Sequence, residues 1–108
     1  MKKLRLLSQA QVFETMGMTE TAAPLWLSAA THEEHLAPLM EQAGRTAEAA
    51  LHRVSAASCY AKTGRWGQAI NLCRAALAGP LPNHTRQEVE ALAQQYLAKL
   101  DQDIASVV

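Results

Sequence analysis

Two cysteines, Cys59 and Cys73, are all that the chain contains. A small secreted domain held by disulfides needs more. Both fall in apolar helical patterns, so they read as buried, reduced core residues of a cytosolic protein. One-sided charge is missing as well. Ten basic residues balance ten acidic ones in 108 residues, with no block of like sign. A strongly electrostatic partner such as duplex DNA is therefore disfavoured. No stretch approaches the ~20 apolar residues of a membrane span. The opening "MKKLRLLSQAQ" begins like a signal peptide, but Arg5, Ser8, Gln9 and Gln11 break the apolar run that must follow. A soluble, cytoplasmic protein is the expectation. Period-2 strand patterns are absent too. So are a phosphate-cradling glycine loop, a paired-carboxylate motif and a nucleophile elbow, and no enzyme is expected.

What is present is helix-forming. Alanine, leucine, glutamine and glutamate dominate. Gly17, Gly44, Gly64 and the cluster "AGPLPNHT" at 78–85 cut the chain into helix-length segments. Six helices are predicted, over 3–16, 22–31, 32–43, 46–62, 66–78 and 86–104, in one all-α domain spanning 1–108. Thr21 can cap the second, where Pro24 is tolerable only in a first turn. Thr31 with Glu34, and Thr85 with Glu88, form capping boxes for the third and the sixth. Pro38 predicts a kink in the third helix or a start there. In the sixth, Val89, Leu92, Ala93, Tyr96, Leu100 and Ile104 share one face.

The three glycines also align an internal repeat. Five residues after each stands an alanine: Ala22, Ala49, Ala69. Twelve after each stands another: Ala29, Ala56, Ala76. Four before is a large apolar residue, Phe13, Met40 or Tyr60, and seven before is alanine again, Ala10, Ala37 or Ala57. Glycine permits the positive φ that ends one helix and opens the next. Small residues at fixed offsets let two antiparallel helices approach closely, and the large residue fills the space between them. Each copy therefore predicts a helix–turn–helix corner.

With these residues in view, the chain resembles the tetratricopeptide repeat family. The third copy carries the resemblance most fully, with Ala57, Tyr60, Gly64, Trp66, Ala69 and Ala76, and with Pro80 and Pro82 near the usual closing proline. The first supplies Ala10, Phe13, Gly17, Ala22, Trp26 and Ala29. The middle copy departs, with Thr46 and Arg53 where aromatics are usual, and the first carries Pro24. Glycine separations of 27 and 20 also depart from the family's 34. As helix pairs, the units are about 1–31, 32–64 and 65–104. The resemblance implies a short, divergent right-handed α-solenoid whose concave face holds a peptide or helix of a partner protein. By motif position that groove would carry Leu4, Leu7, Gln11, Glu14, Glu34, Pro38, Glu41, Leu51, Val54, Ser58 and Lys62. Its mixture of apolar and acidic groups suits an amphipathic helix, or a peptide with a basic flank. A chaperone-tail clamp is not implied, since the matching positions hold Leu7, Gln11, His35, Val54 and Ser58.

Other chemistry is thinner. His32 and His35 share a helix face beside Glu33 and Glu34, and His52 or His84 could add a ligand, so a metal site is conceivable. The pattern is not HExxH, and a solvated first turn with glutamates at the helix dipole is the simpler reading. "NHT" at 83–85 matches a glycosylation acceptor and also suits a helix cap. Arg65 and Trp66 could stack on a base, yet Trp66 holds a packing position and reads as core or groove wall. The leading expectation is a non-enzymatic adaptor that binds a protein partner without a cofactor. One alternative is a homodimer or assembly subunit that uses the sixth helix or the groove as its interface. The other is a metal-binding regulator using His32 and His35.

Overall fold

The computed structural model describes Gln11 and residues 19–107. The described residues are helical apart from short connections, and they form four helices. We number them α1 (Thr19–Gln42), α2 (Thr46–Lys62), α3 (Trp66–Leu77) and α4 (Asn83–Val107). The predicted first helix lies outside the described residues except for Gln11, which is helical and exposed. The all-α class stands, and the six-helix count does not.

The count fails at Thr31. The segments predicted as 22–31 and 32–43 are one helix, continuous across both Pro24 and Pro38. Thr31 caps nothing; its hydroxyl donates back to the Leu27 carbonyl at 3.0 Å. The physical reason for continuity is an unbroken buried stripe. Ala22, Trp26, Ala29, Ala30, Glu33 and Ala37 are all buried, and their spacing keeps the phase of one helix. An interior proline costs ~3 kcal/mol in isolation. Here both prolines face outward, where water can reach the carbonyl that loses its partner. The stripe's packing offsets the rest. The boundary at 31/32 between the first two expected helix pairs thus falls inside α1. At the other end, α4 opens at Asn83 rather than at 86, so Thr85 lies within it.

The two later corners are as the glycines require. Gly44 has φ +78° and Gly64 has φ +73°. At the first, the Gly44 N–H donates to Glu41 O and the Arg45 N–H to Met40 O, at 3.0 and 2.8 Å. At the second, the Gly64 N–H donates to Ala61 O and the Arg65 N–H to Tyr60 O, at 3.1 and 3.0 Å. Both are Schellman caps, and each closes the open carbonyls of one helix. The repeated alanines sit where the helices meet: Ala49, Ala56, Ala69 and Ala76 are 0% exposed. The corner around Gly17 lies outside the described residues.

Each helix packs chiefly on its neighbours in sequence: α1 on α2, α2 on α3, and α3 on α4. Three carboxylates of α1 tie it to α2. Glu33, fully buried, accepts from His52 Nδ1 at 2.6 Å. Glu41 accepts from Arg53 at 2.5 Å, and Glu34 accepts from the Tyr60 hydroxyl. The return from α3 is held by Arg86, whose guanidinium donates to Leu77 O at 2.6 Å and to Gly79 O at 2.9 Å. It satisfies carbonyls at the end of α3 that have no helical partner.

Candidate functional site

Reversing the chain at Gly64 and again at 78–82 brings α4 back beside α2. Between them runs a groove of about 270 Å³, lined by Ser58, Ala61, Lys62, Trp66, Leu92, Gln95, Tyr96 and Lys99. That volume lies just below the ~300–1,000 Å³ of small-molecule sites. It holds the anchoring side chains of a larger ligand better than a cofactor. Each wall presents its residues at helical spacing: Ser58, Ala61 and Lys62 from α2, and Leu92, Gln95, Tyr96 and Lys99 from α4.

Two aromatic rings shape the groove. The Trp66 and Tyr96 centroids are 5.8 Å apart with a tilt of 33°, within the range of favourable aromatic pairs. The Trp66 indole N–H donates to Asp103 Oδ2 at 2.9 Å, which fixes the ring at one end of the groove. Burial pushes the Tyr96 phenol above its ordinary pKa, with Cys73 and Cys59 nearby, while a hydrogen bond with Ser58 acts in the opposite sense. Tyr96 of α4 and Ser58 of α2 line the groove from its two sides. Lys62 stands 5.6 Å from the centroid of the Trp26 ring, a cation–π contact that holds its stem along α2.

The residues expected to form one groove divide between two sides. Leu4, Leu7 and Glu14 lie outside the described residues. Leu51, Val54, Ser58 and Lys62 share one side of α2, and of these Ser58 and Lys62 line the groove. Leu51 is half exposed, and Val54 packs partly against the core. Glu34 is exposed but engages Tyr60 at the α1–α2 seam. Glu41 belongs to a different hollow, of about 310 Å³, with Thr46, Arg53, Ala75, Ala78, Gly79 and Pro80. Pro38 is exposed on α1. The expected acidic character therefore belongs to the α1 side among the described residues, and the described lining of the α2–α4 groove holds no carboxylate. Sequence reasoning missed Ala61, Leu92, Gln95, Tyr96 and Lys99 as groove residues. The i, i+3, i+4, i+7 series of the last four was the available signal.

His32 and His35 flank a hollow of about 430 Å³ beside Leu27, Ser28 and Thr31, all on α1. His35 Nδ1 lies 3.3 Å from its own helix, at Thr31 O. Among the described residues no group of three His, Cys, Asp or Glu side chains could hold a metal ion. His52 is turned to Glu33, and His84 lies 2.8 Å from Glu88, so neither joins the pair. Cys59 and Cys73 are both buried and are not joined in a disulfide. Burial raises the Cys73 pKa, the opposite of what a reactive thiolate requires. No described helix is long and apolar enough to cross a membrane. No protein-family model matches the chain, and no curated protein or solved structure matches it significantly.

Proposed function

We propose that this chain is a non-enzymatic interaction module that holds a segment of a protein partner in the α2–α4 groove. The observation that carries the proposal is the groove's construction. Two aromatic rings and Leu92 line it, small residues on α2 allow close approach, and its rims are polar. Apolar, aromatic-anchored clefts with polar rims are where binding energy concentrates in protein interfaces. A divergent kinship with the tetratricopeptide family belongs to the same proposal. Its support is the corner repeated at Gly44 and Gly64 and the burial of every alanine column described.

The test is retrieval of partners from the native host by the wild-type protein and by Leu92→Glu, which places a charge in the groove. Loss of a specific partner in the variant, with its fold retained by circular dichroism, supports the proposal. Equal retrieval by both proteins rules the groove out. A second reading, a homo-oligomer or assembly subunit built on α4, draws on Ile104 and Val107, which are 56% and 86% exposed. Light scattering separates the two. A stable dimer whose α4 becomes protected from hydrogen exchange favours the second.

A further inference from the structure

We infer that the Trp66–Asp103 hydrogen bond is a latch: it keeps the last two turns of α4 wound, and those turns in return hold the Trp66 ring at the end of the α2–α4 groove. The latch itself stands without the groove being a binding site, and its consequence for binding rests on that reading. The last turns of α4 have little else to hold them. Residues 101–107 are helical, and every one of them is exposed. They therefore lack the packed apolar face that supplies most helical stability in proteins. Asp101 and Asp103 place negative charge near the negative end of the helix dipole, and no basic residue stands in the last turn to offset it. Aspartate, serine and valine are also weak helix formers. The Ser106 hydroxyl bonds only within its own helix, to Asp103 O at 2.8 Å. Among the described residues, one hydrogen bond joins this stretch to another helix. It runs from the Trp66 indole N–H to Asp103 Oδ2, at 2.9 Å.

The bond works in both directions. Trp66 opens α3 and pairs with Tyr96, and both rings line the groove. Asp103 stands one helical turn beyond Lys99, the last residue of the lining on α4. While these turns are wound, the carboxylate is in place and the indole is fixed against it. When they unwind, the carboxylate leaves, and the ring is free to turn at the groove's end. Linkage makes the coupling reciprocal. An occupant that needs the ring in its held position winds the turns. The wound turns favour that occupant by the same factor.

The experiment is amide hydrogen exchange read by NMR on the full chain, with no ligand added. It compares wild type, Asp103→Ala, Trp66→Phe, the double variant and Asp101→Ala. Helix propensity and the dipole alone predict that alanine at 103 tightens the helix end. The latch predicts the reverse. Asp103→Ala and Trp66→Phe, thirty-seven residues apart on different helices, should each lower the protection of residues 101–107 by roughly threefold to tenfold. The double variant should fall no further than either single one. Asp101→Ala, which removes a like charge but no contact to another helix, should raise protection. The Trp66 indole N–H resonance should move in Asp103→Ala, and the Overhauser contacts between Trp66 and Tyr96 should weaken. Unchanged protection in α2 shows that each variant is folded. Protection that rises in Asp103→Ala as it does in Asp101→Ala, or that ignores Trp66→Phe, overturns the latch. Protection that falls in both while the Trp66 and Tyr96 signals stay in place overturns its hold on the groove. Whether the groove binds a partner is decided separately, by retrieval with Leu92→Glu.

Discussion

Alanine at Gly64 and alanine at Gly67, three residues apart, should move stability in opposite directions. At Gly64 the backbone has φ +73°, and an added Cβ would meet nothing within 4 Å. The cost is therefore conformational alone. A non-glycine residue in the left-handed region costs ~1–2 kcal/mol. Part is returned because alanine narrows the unfolded ensemble, by ~0.4–1 kcal/mol. The net is a loss of roughly 0.5–1.5 kcal/mol. Gly67 also has open space around its Cβ, but its φ is not positive and it lies in the first turn of α3. There alanine gains the same unfolded-state benefit without strain, so the protein is stabilised by about 0.4–1 kcal/mol. Urea unfolding followed by circular dichroism measures both at once. The two midpoints should separate in opposite directions from wild type with a common slope. In a domain of this size the corresponding melting temperatures should differ by roughly 5–15 °C. Gly44→Ala, with φ +78° and the same open surroundings, should match Gly64→Ala to within ~0.5 kcal/mol. A Gly64→Ala protein as stable as wild type, or two variants shifted the same way, would refute the corner geometry.

Other perturbations follow from particular contacts. Ala69→Leu places three extra heavy atoms at a position that is 0% exposed; it should cost ~1–3 kcal/mol by overpacking, and an unchanged melting temperature counts against the α2–α3 seam. His52→Ala removes the hydrogen bond 2.6 Å from the fully buried Glu33 carboxylate; a loss of ~1.5–3 kcal/mol is expected at pH 7, and His52→Gln should recover part of it. The Arg53 hydrogen bond, and secondarily its charge, hold the Glu41 carboxyl below its ordinary value of 4.5 against a smaller opposing effect of burial. A carboxyl lowered on folding stabilises above its unfolded pKa, and that contribution fades as pH falls through the lowered value. Arg53→Ala should therefore raise the Glu41 titration midpoint read by NMR, and an unmoved midpoint would show that the pair does not persist in solution.

Much of this architecture was written in the sequence, because glycine and alanine act there through rules that hardly depend on context. Positive φ at Gly44 and Gly64 follows from the absence of a side chain, and the alanines at fixed offsets mark where two helices touch. Thr46–Lys62 appeared at its observed boundaries, and α3 to within one residue. The continuity of α1 was not legible, for two reasons. Glu33 interrupts the apolar stripe that joins Trp26 and Ala29 to Ala37, and its partner His52 lies nineteen residues away, where no local pattern points to it. Thr31 with Glu34 also imitates a capping box, although the threonine hydroxyl returns to Leu27. The groove was half legible for a related reason. Ser58 and Lys62 follow from their side of α2, but Tyr96 and Lys99 reach the site only because α4 returns alongside.

That return links the repeat to the proposed function. A chain of helices that each pack mainly on the next would remain a flat ribbon if successive reversals were random in direction. Here the same Schellman cap is used at Gly44 and Gly64, so the same turn is taken twice. The cap at Gly64 and the different return over 78–82 then bring α2 and α4 to the two sides of one groove, although they are not neighbours in sequence. Trp66 sits where these effects meet. It is the first residue of α3, so its position is dictated by the cap at Gly64, and its indole reaches Asp103 on α4 at 2.9 Å. Its ring pairs with Tyr96, which lines the groove together with Ser58 of α2. The groove is therefore built from the corner itself and not from side chains added to a finished scaffold. A change in the direction of the chain at Gly64 would move Trp66, separate Lys62 from Lys99 and abolish the site together with the fold that carries it.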